Sequence, residues 1–161
     1  MELQKDSPWY QYLDDCQRAL AETSFALLDK AKELHDLKDY SFIVFPMAKA
    51  YEGFLKKVLF DRNLIDKNTY EGRKFRIGRA LNPDVRNHQR DEDWFYDDMA
   101  EIFGNEVARE MWNAWLMCRN HVFHYWPDCE QFLTIAEVKE RLQMMTEVMN
   151  KITNEKEDYV S

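Results

Sequence analysis

The chain has 161 residues, 45% of them hydrophobic and 14% aromatic, enough to build one core without disulfides or metals. Four glycines and four prolines among an excess of helix formers exclude a strand-rich domain. Three unevenly spaced cysteines (Cys16, Cys118 and Cys129), no apolar leader before Trp9 and no long apolar run exclude a disulfide scaffold, secretion and a transmembrane span, so a soluble, cytoplasmic chain is expected. The net charge of −8 excludes a uniformly basic nucleic-acid-binding surface.

Leu13, Leu20, Leu27 and Leu34 recur every seven residues, with Ser24 and Ala31 between them, and predict a first helix over about 9–37. Ala48, Tyr51, Leu55, Val58 and Leu59 predict a second over about 40–62, in which Pro46 is tolerated only near the start. From 63 to 104 the periodicity weakens and Gly72, Gly78 and Pro83 interrupt it, so an irregular insert of short helices is expected. Its 71–90 stretch holds Arg73, Lys74, Arg76, Arg79, Arg86 and Arg90 against only Glu71 and Asp84, a local +4 that leaves −12 for the rest of the chain. Of these, Arg73, Lys74, Arg76 and Arg79 are the candidate RNA-binding cations. The same cations could instead be balanced by the acidic stretch Asp91 to Asp98, which is expected to open a short helix ending at Gly104.

Asn105 is the expected N-cap of a long third helix that must stop near Tyr125, because Pro127 forces the preceding residue out of helical geometry. Thr134 and Glu137 form a capping box for a final helix over about 134–153, followed by a frayed polar tail. The whole, 1–161, reads as one all-α domain, a four-helix bundle with an irregular insert between its second and third long helices.

The segment Arg119-Asn120-His121-Val122-Phe123-His124 lies where the third helix ends. Asn120 and His124 are four apart and share a face, but Arg119 and His124 are five apart and diverge by about 140° on a regular helix. Only a distorted last turn or the reach of arginine brings them together. A histidine titrating near neutrality can exchange a proton, while an arginine beside it can only stabilise negative charge. Zinc is not expected, since Cys118, His121 and His124 spread around the helix and do not converge with Cys129. No cofactor is expected either.

Arg119 to His124 resembles the R-x4-6-H signature of the HEPN superfamily. The run Ala48-Lys49-Ala50-Tyr51-Glu52-Gly53-Phe54-Leu55-Lys56 is similar to the second HEPN helix, whose acidic residue faces the signature. Lys49 and Glu52 match the cation and glutamate of the RNase LS toxins. What the resemblance implies is a HEPN-like bundle and metal-independent RNA cleavage to 2′,3′-cyclic phosphate and 5′-OH ends. The site would be composite, formed by a homodimer, with His124 exchanging protons, Arg119 stabilising the phosphorane, Asn120 orienting the phosphate, and Glu52 and Lys49 supporting them. A toxin or anti-phage effector held by an antitoxin or sensor partner is the implied setting. The competing readings are a non-catalytic HEPN module that binds nucleotides or dimerises, and a helical adaptor without a ligand site.

Overall fold

The computed structural model describes residues 1–34, 37–125, 127 and 132–154, and among these there is no strand. Among the described residues there are eight α-helical segments: α1 Pro8–Tyr12, α2 Asp15–Lys30, α3 Val44–Asp61, α4 Lys67–Glu71, α5 Ile77–Ala80, α6 Tyr96–Trp115, α7 His121–Phe123 and α8 Ile135–Asn154. The chain is all-α. No helix among the described residues is long and apolar enough to cross a membrane.

The expected first helix is two. Asp14 accepts from the backbone N–H of Gln17 while the Gln17 side chain accepts from the Asp14 N–H, a capping box that starts α2 afresh after α1. A 3-10 turn over Ala31–Glu33 then ends it short of 37. Of the heptad leucines, Leu13 is buried and the later three lie off the true seam. Ala21, Ser24, Leu28 and Ala31 are buried, Leu20 and Leu27 lie at the margin, and Leu34 is exposed. Small residues win the seam because they let α2 approach α3 closely.

That approach is visible at two points. A Cβ on Gly53 of α3 would lie 2.9 Å from Gln17 Nε2, so the glycine makes room for a buried glutamine. Two turns on along α2, the buried Ser24 hydroxyl donates to Ile43 C=O (2.6 Å) and accepts from Met47 N–H (2.8 Å). Ile43 is the N-cap residue of α3 and has no polar side chain, so a serine from the neighbouring helix supplies the missing cap. Pro46 lies in the first turn of α3, where its lack of an N–H costs nothing.

The insert is short helices and turns, as its broken periodicity implies. Within α6 the acidic-aromatic helix and the long helix are two helical stretches that meet at Gly104, the expected end of the first; the Gly104 φ of +82° is the left-handed region that favours glycine. Gly104, rather than Asn105, is the residue with non-helical backbone. Thr134 and Glu137 form the expected capping box, with the carboxylate accepting from the Thr134 N–H and hydroxyl at 2.8 Å each. Glu137 is held below the usual carboxylate range chiefly by that backbone N–H. The tail after Asn154 lies outside the described residues, as do Trp126 and Cys129.

Candidate active site

Beyond Trp115 the third bundle helix changes its hydrogen bonding. Over Leu116–Asn120 it widens to a π-turn, closed by the His121 N–H donating to Leu116 C=O. It returns to α geometry for the three residues of α7, and His124 leaves it in extended conformation with φ −96° and ψ 140°. The helical geometry therefore ends at Phe123, two residues before the expected stop. A π-turn takes in one more residue per turn than an α-turn, so Arg119 and His124 need not diverge as they would on a regular helix. Both line one groove.

The groove has a volume of about 620 Å³. Glu52 of α3 meets Arg119 across it, with Oε2 3.6 Å from Nε. The pair is roughly one-third exposed on both sides, which leaves the guanidinium accessible to a ligand. Asn120 and His124 line the same groove, as do Arg73, Arg76 and Arg79 of the insert. Four arginines against one glutamate make the groove electropositive in an acidic protein, because a concave surface lined by one sign of charge concentrates its field.

Two features hold this geometry. Trp115 lies beneath Arg119, its ring centroid 5.5 Å from the guanidinium carbon, and stacks on Trp112 at 5.4 Å. α5 packs against that indole so closely that a Cβ on Gly78 would fall 2.1 Å from Trp115 Cη2, a contact possible only without a side chain. On α3, the residue before Glu52 is the buried Tyr51, whose hydroxyl donates to Met111 C=O (3.1 Å) and joins α3 to α6. Burial drives the Tyr51 phenol well above its ordinary pKa, so it stays a neutral donor. One turn after Glu52, Lys56 Nζ donates to Gly72 C=O (2.8 Å) and anchors the start of the Arg73–Arg76 segment; desolvation lowers the pKa of that ammonium.

No family model, curated protein sequence or solved structure matches this chain.

The expected residues therefore divide by position. Arg119, Asn120, His124, Glu52, Arg73, Arg76 and Arg79 line one groove. Lys74 lies in the neighbouring cavity with Arg73. Lys49 is not among the groove residues: it is exposed, with its ammonium 5.6 Å from the centre of the Phe45 ring. Lys49 and Glu52 share a face of α3, but Glu52 lies nearly a turn further along the axis, level with Arg119, whereas Lys49 lies back beside Phe45. Arg79 is committed to Asp91 and the Gln89 carbonyl, and Arg90 to Asp97, the Val85 carbonyl and the Trp94 ring. The acidic stretch thus balances one end of the insert, whereas Arg73, Lys74 and Arg76 make no ion pair among the described residues.

Cys118 lies on the π-turn but faces the core, its thiol donating to Arg141 C=O (3.4 Å), and burial pushes its pKa up to about 12. His121 is exposed and outside the groove, so Cys118, His121 and His124 do not assemble a common site. Sequence reading missed Trp115, Gly78 and Lys56 as supports of the groove. Only Gly78 carried a local signal, a glycine at a place where no turn requires one.

Proposed function

We propose that the chain is a HEPN-type endoribonuclease that cleaves RNA without a metal, acting as a toxin or anti-phage effector. The observation that carries this reading is the groove that the Glu52–Arg119 pair, Asn120 and His124 line together with Arg73 and Arg76, which make no ion pair among the described residues. Such a site recognises a phosphodiester. Arg73 and Arg76 neutralise the strand, Asn120 orients the phosphate, and Arg119 stabilises the charge that grows on the pentacoordinate phosphorus. Glu52 keeps the guanidinium aimed across the groove.

In the reaction the ribose 2′-OH gives its proton to a neutral His124 and its oxygen attacks phosphorus. The P–O5′ bond breaks, and a protonated imidazole returns a proton to O5′. This leaves a 2′,3′-cyclic phosphate and a free 5′-OH, with no net change in protons. Two proton transfers at opposite oxygens are served best by two histidines, yet among the described residues His124 is the one histidine lining the groove. A second copy would supply the other from the partner subunit's His124. Support for that pairing lies beside the site: exposed Phe45 packs edge-on against Phe123 (5.1 Å), adjacent to His124, and Phe42, Tyr125 and Phe132 are also exposed.

The test is cleavage of single-stranded RNA with end-group analysis. Arg119→Ala and His124→Ala should each lower the rate by about a hundredfold or more while leaving the melting transition in place. Activity should survive EDTA. Intact cleavage in either variant overturns the assignment of residues, and loss with EDTA overturns the chemistry.

A further inference from the structure

The groove continues at both ends. Arg73 and Phe75 also line a second cavity of about 440 Å³, completed by Asn68, Thr69, Lys74 and Asp93. Arg79 and Val85 also line a third, of about 500 Å³, with His88 and Arg90. Each volume lies in the range of about 300–1,000 Å³ that small-ligand pockets occupy, and so is large enough for one nucleotide unit. The two continuations differ in charge. In the third cavity Arg79 and Arg90 are taken up by Asp91 and Asp97, while in the second Arg73 and Lys74 make no ion pair among the described residues. A polyanion leaving the central groove is therefore drawn toward the second cavity.

At the junction stands Phe75. Its ring leans on Phe95, centroids 6.2 Å apart, and remains partly exposed while lining both compartments. A surface of cations interrupted by one supported aromatic ring suits a chain of alternating phosphates and flat bases. Beyond the ring, the Asn68 amide can both donate and accept, the Thr69 hydroxyl likewise, and the Asp93 carboxylate can only accept. Those are groups for a base edge, and Asp93 is a poor neighbour for a phosphate.

We infer that Phe75 is the stacking platform of a nucleobase subsite for single-stranded RNA, with the Asn68, Thr69 and Asp93 side chains meeting the base edge and Arg73 and Lys74 holding the flanking phosphates. The assignment rests on the RNA reading of the central groove and deepens it. An A-form duplex cannot use this subsite, because its bases are already stacked and paired. The carboxylate of Asp93 favours bases that present an exocyclic amine.

Binding of a short 2′-O-methyl RNA, which has no free 2′-OH to attack, measures this without cleavage. Fluorescence anisotropy should give the wild-type protein a preference of about tenfold for the base-bearing strand over an abasic strand of equal length. Phe75→Leu should erase that preference while leaving abasic binding unchanged, Phe75→Trp should keep it, and Arg73→Gln should weaken both strands alike. Equal wild-type affinity for the two strands, or tighter binding of duplex than of single strand, overturns the subsite even where Phe75→Leu fails to fold. The two readings separate cleanly. A base preference in a protein that leaves ordinary RNA intact removes the endoribonuclease and keeps the subsite; Arg119-dependent cleavage without a base preference does the reverse.

Discussion

Gly53 and Gly78 both exist to let something come close, and they differ in what comes. At Gly53 the neighbour is the amide end of Gln17, a side chain with rotatable bonds, in the α2–α3 pair that frames the bundle. At Gly78 it is the six-membered edge of Trp115, a rigid indole 91% buried and held against Trp112, directly under Arg119. The frame can absorb a methyl group by moving a flexible tip. The groove floor cannot, because the ring has no alternative place and Arg119 lies over its face. The tolerance of the two regions to change should differ accordingly.

The largest effect is expected for Gly78→Ala. It should cost about 1–3 kcal/mol of stability through overpacking, and lower RNA cleavage more than that loss explains, because Trp115 must shift under Arg119. Tryptophan fluorescence and cleavage rate measured at a temperature where the variant is fully folded check both parts. Unchanged activity there would remove Gly78 from the site. Next comes Ser24→Ala in the frame, expected to cost about 1–3 kcal/mol because it orphans the buried Met47 N–H. Denaturant unfolding measures it, and in the folded protein cleavage should stay near wild type.

Gly53→Ala should be smaller. The gain in helix propensity of about 1 kcal/mol opposes the displacement of Gln17, and the net change in unfolding free energy should lie within about 1 kcal/mol of zero. A loss as large as that of Gly78→Ala would break the contrast between a yielding frame and an unyielding floor. The smallest effect concerns pH. Glu137 has its pKa lowered in the folded state by the Thr134 N–H, so its contribution is present at neutral pH and is lost as pH falls through that lowered value. Thermal melts across the acid range should show the difference between wild type and Glu137→Gln shrinking as pH falls. A difference that grows with acid would contradict the capping geometry.

What could be read from the residues was local or periodic. The all-α class, the four long helical stretches, Pro46 in a first turn, the break at Gly104 and the Thr134–Glu137 cap all follow from propensity, spacing or capping chemistry. So does the grouping of Arg119, Asn120 and His124 near a helix end. The break at Asp14 was present in the sequence as Asp-x-x-Gln, but the heptad of leucines spanned it and hid it.

Tertiary packing decided the rest. Which side of α2 is buried depended on Ser24 and Ala21 meeting α3, since small residues set a closer helix approach than leucines permit. Whether Arg119 and His124 could serve one groove depended on a π-turn, and no residue pattern in Leu116–Asn120 specifies one. Position along α3 separated Glu52 from Lys49, and the fold of the insert separated Arg73 and Arg76, which make no ion pair among the described residues, from Arg79 and Arg90, already paired. Those distinctions rest on distances of a few ångströms between segments far apart in the chain, which only the folded structure brings together.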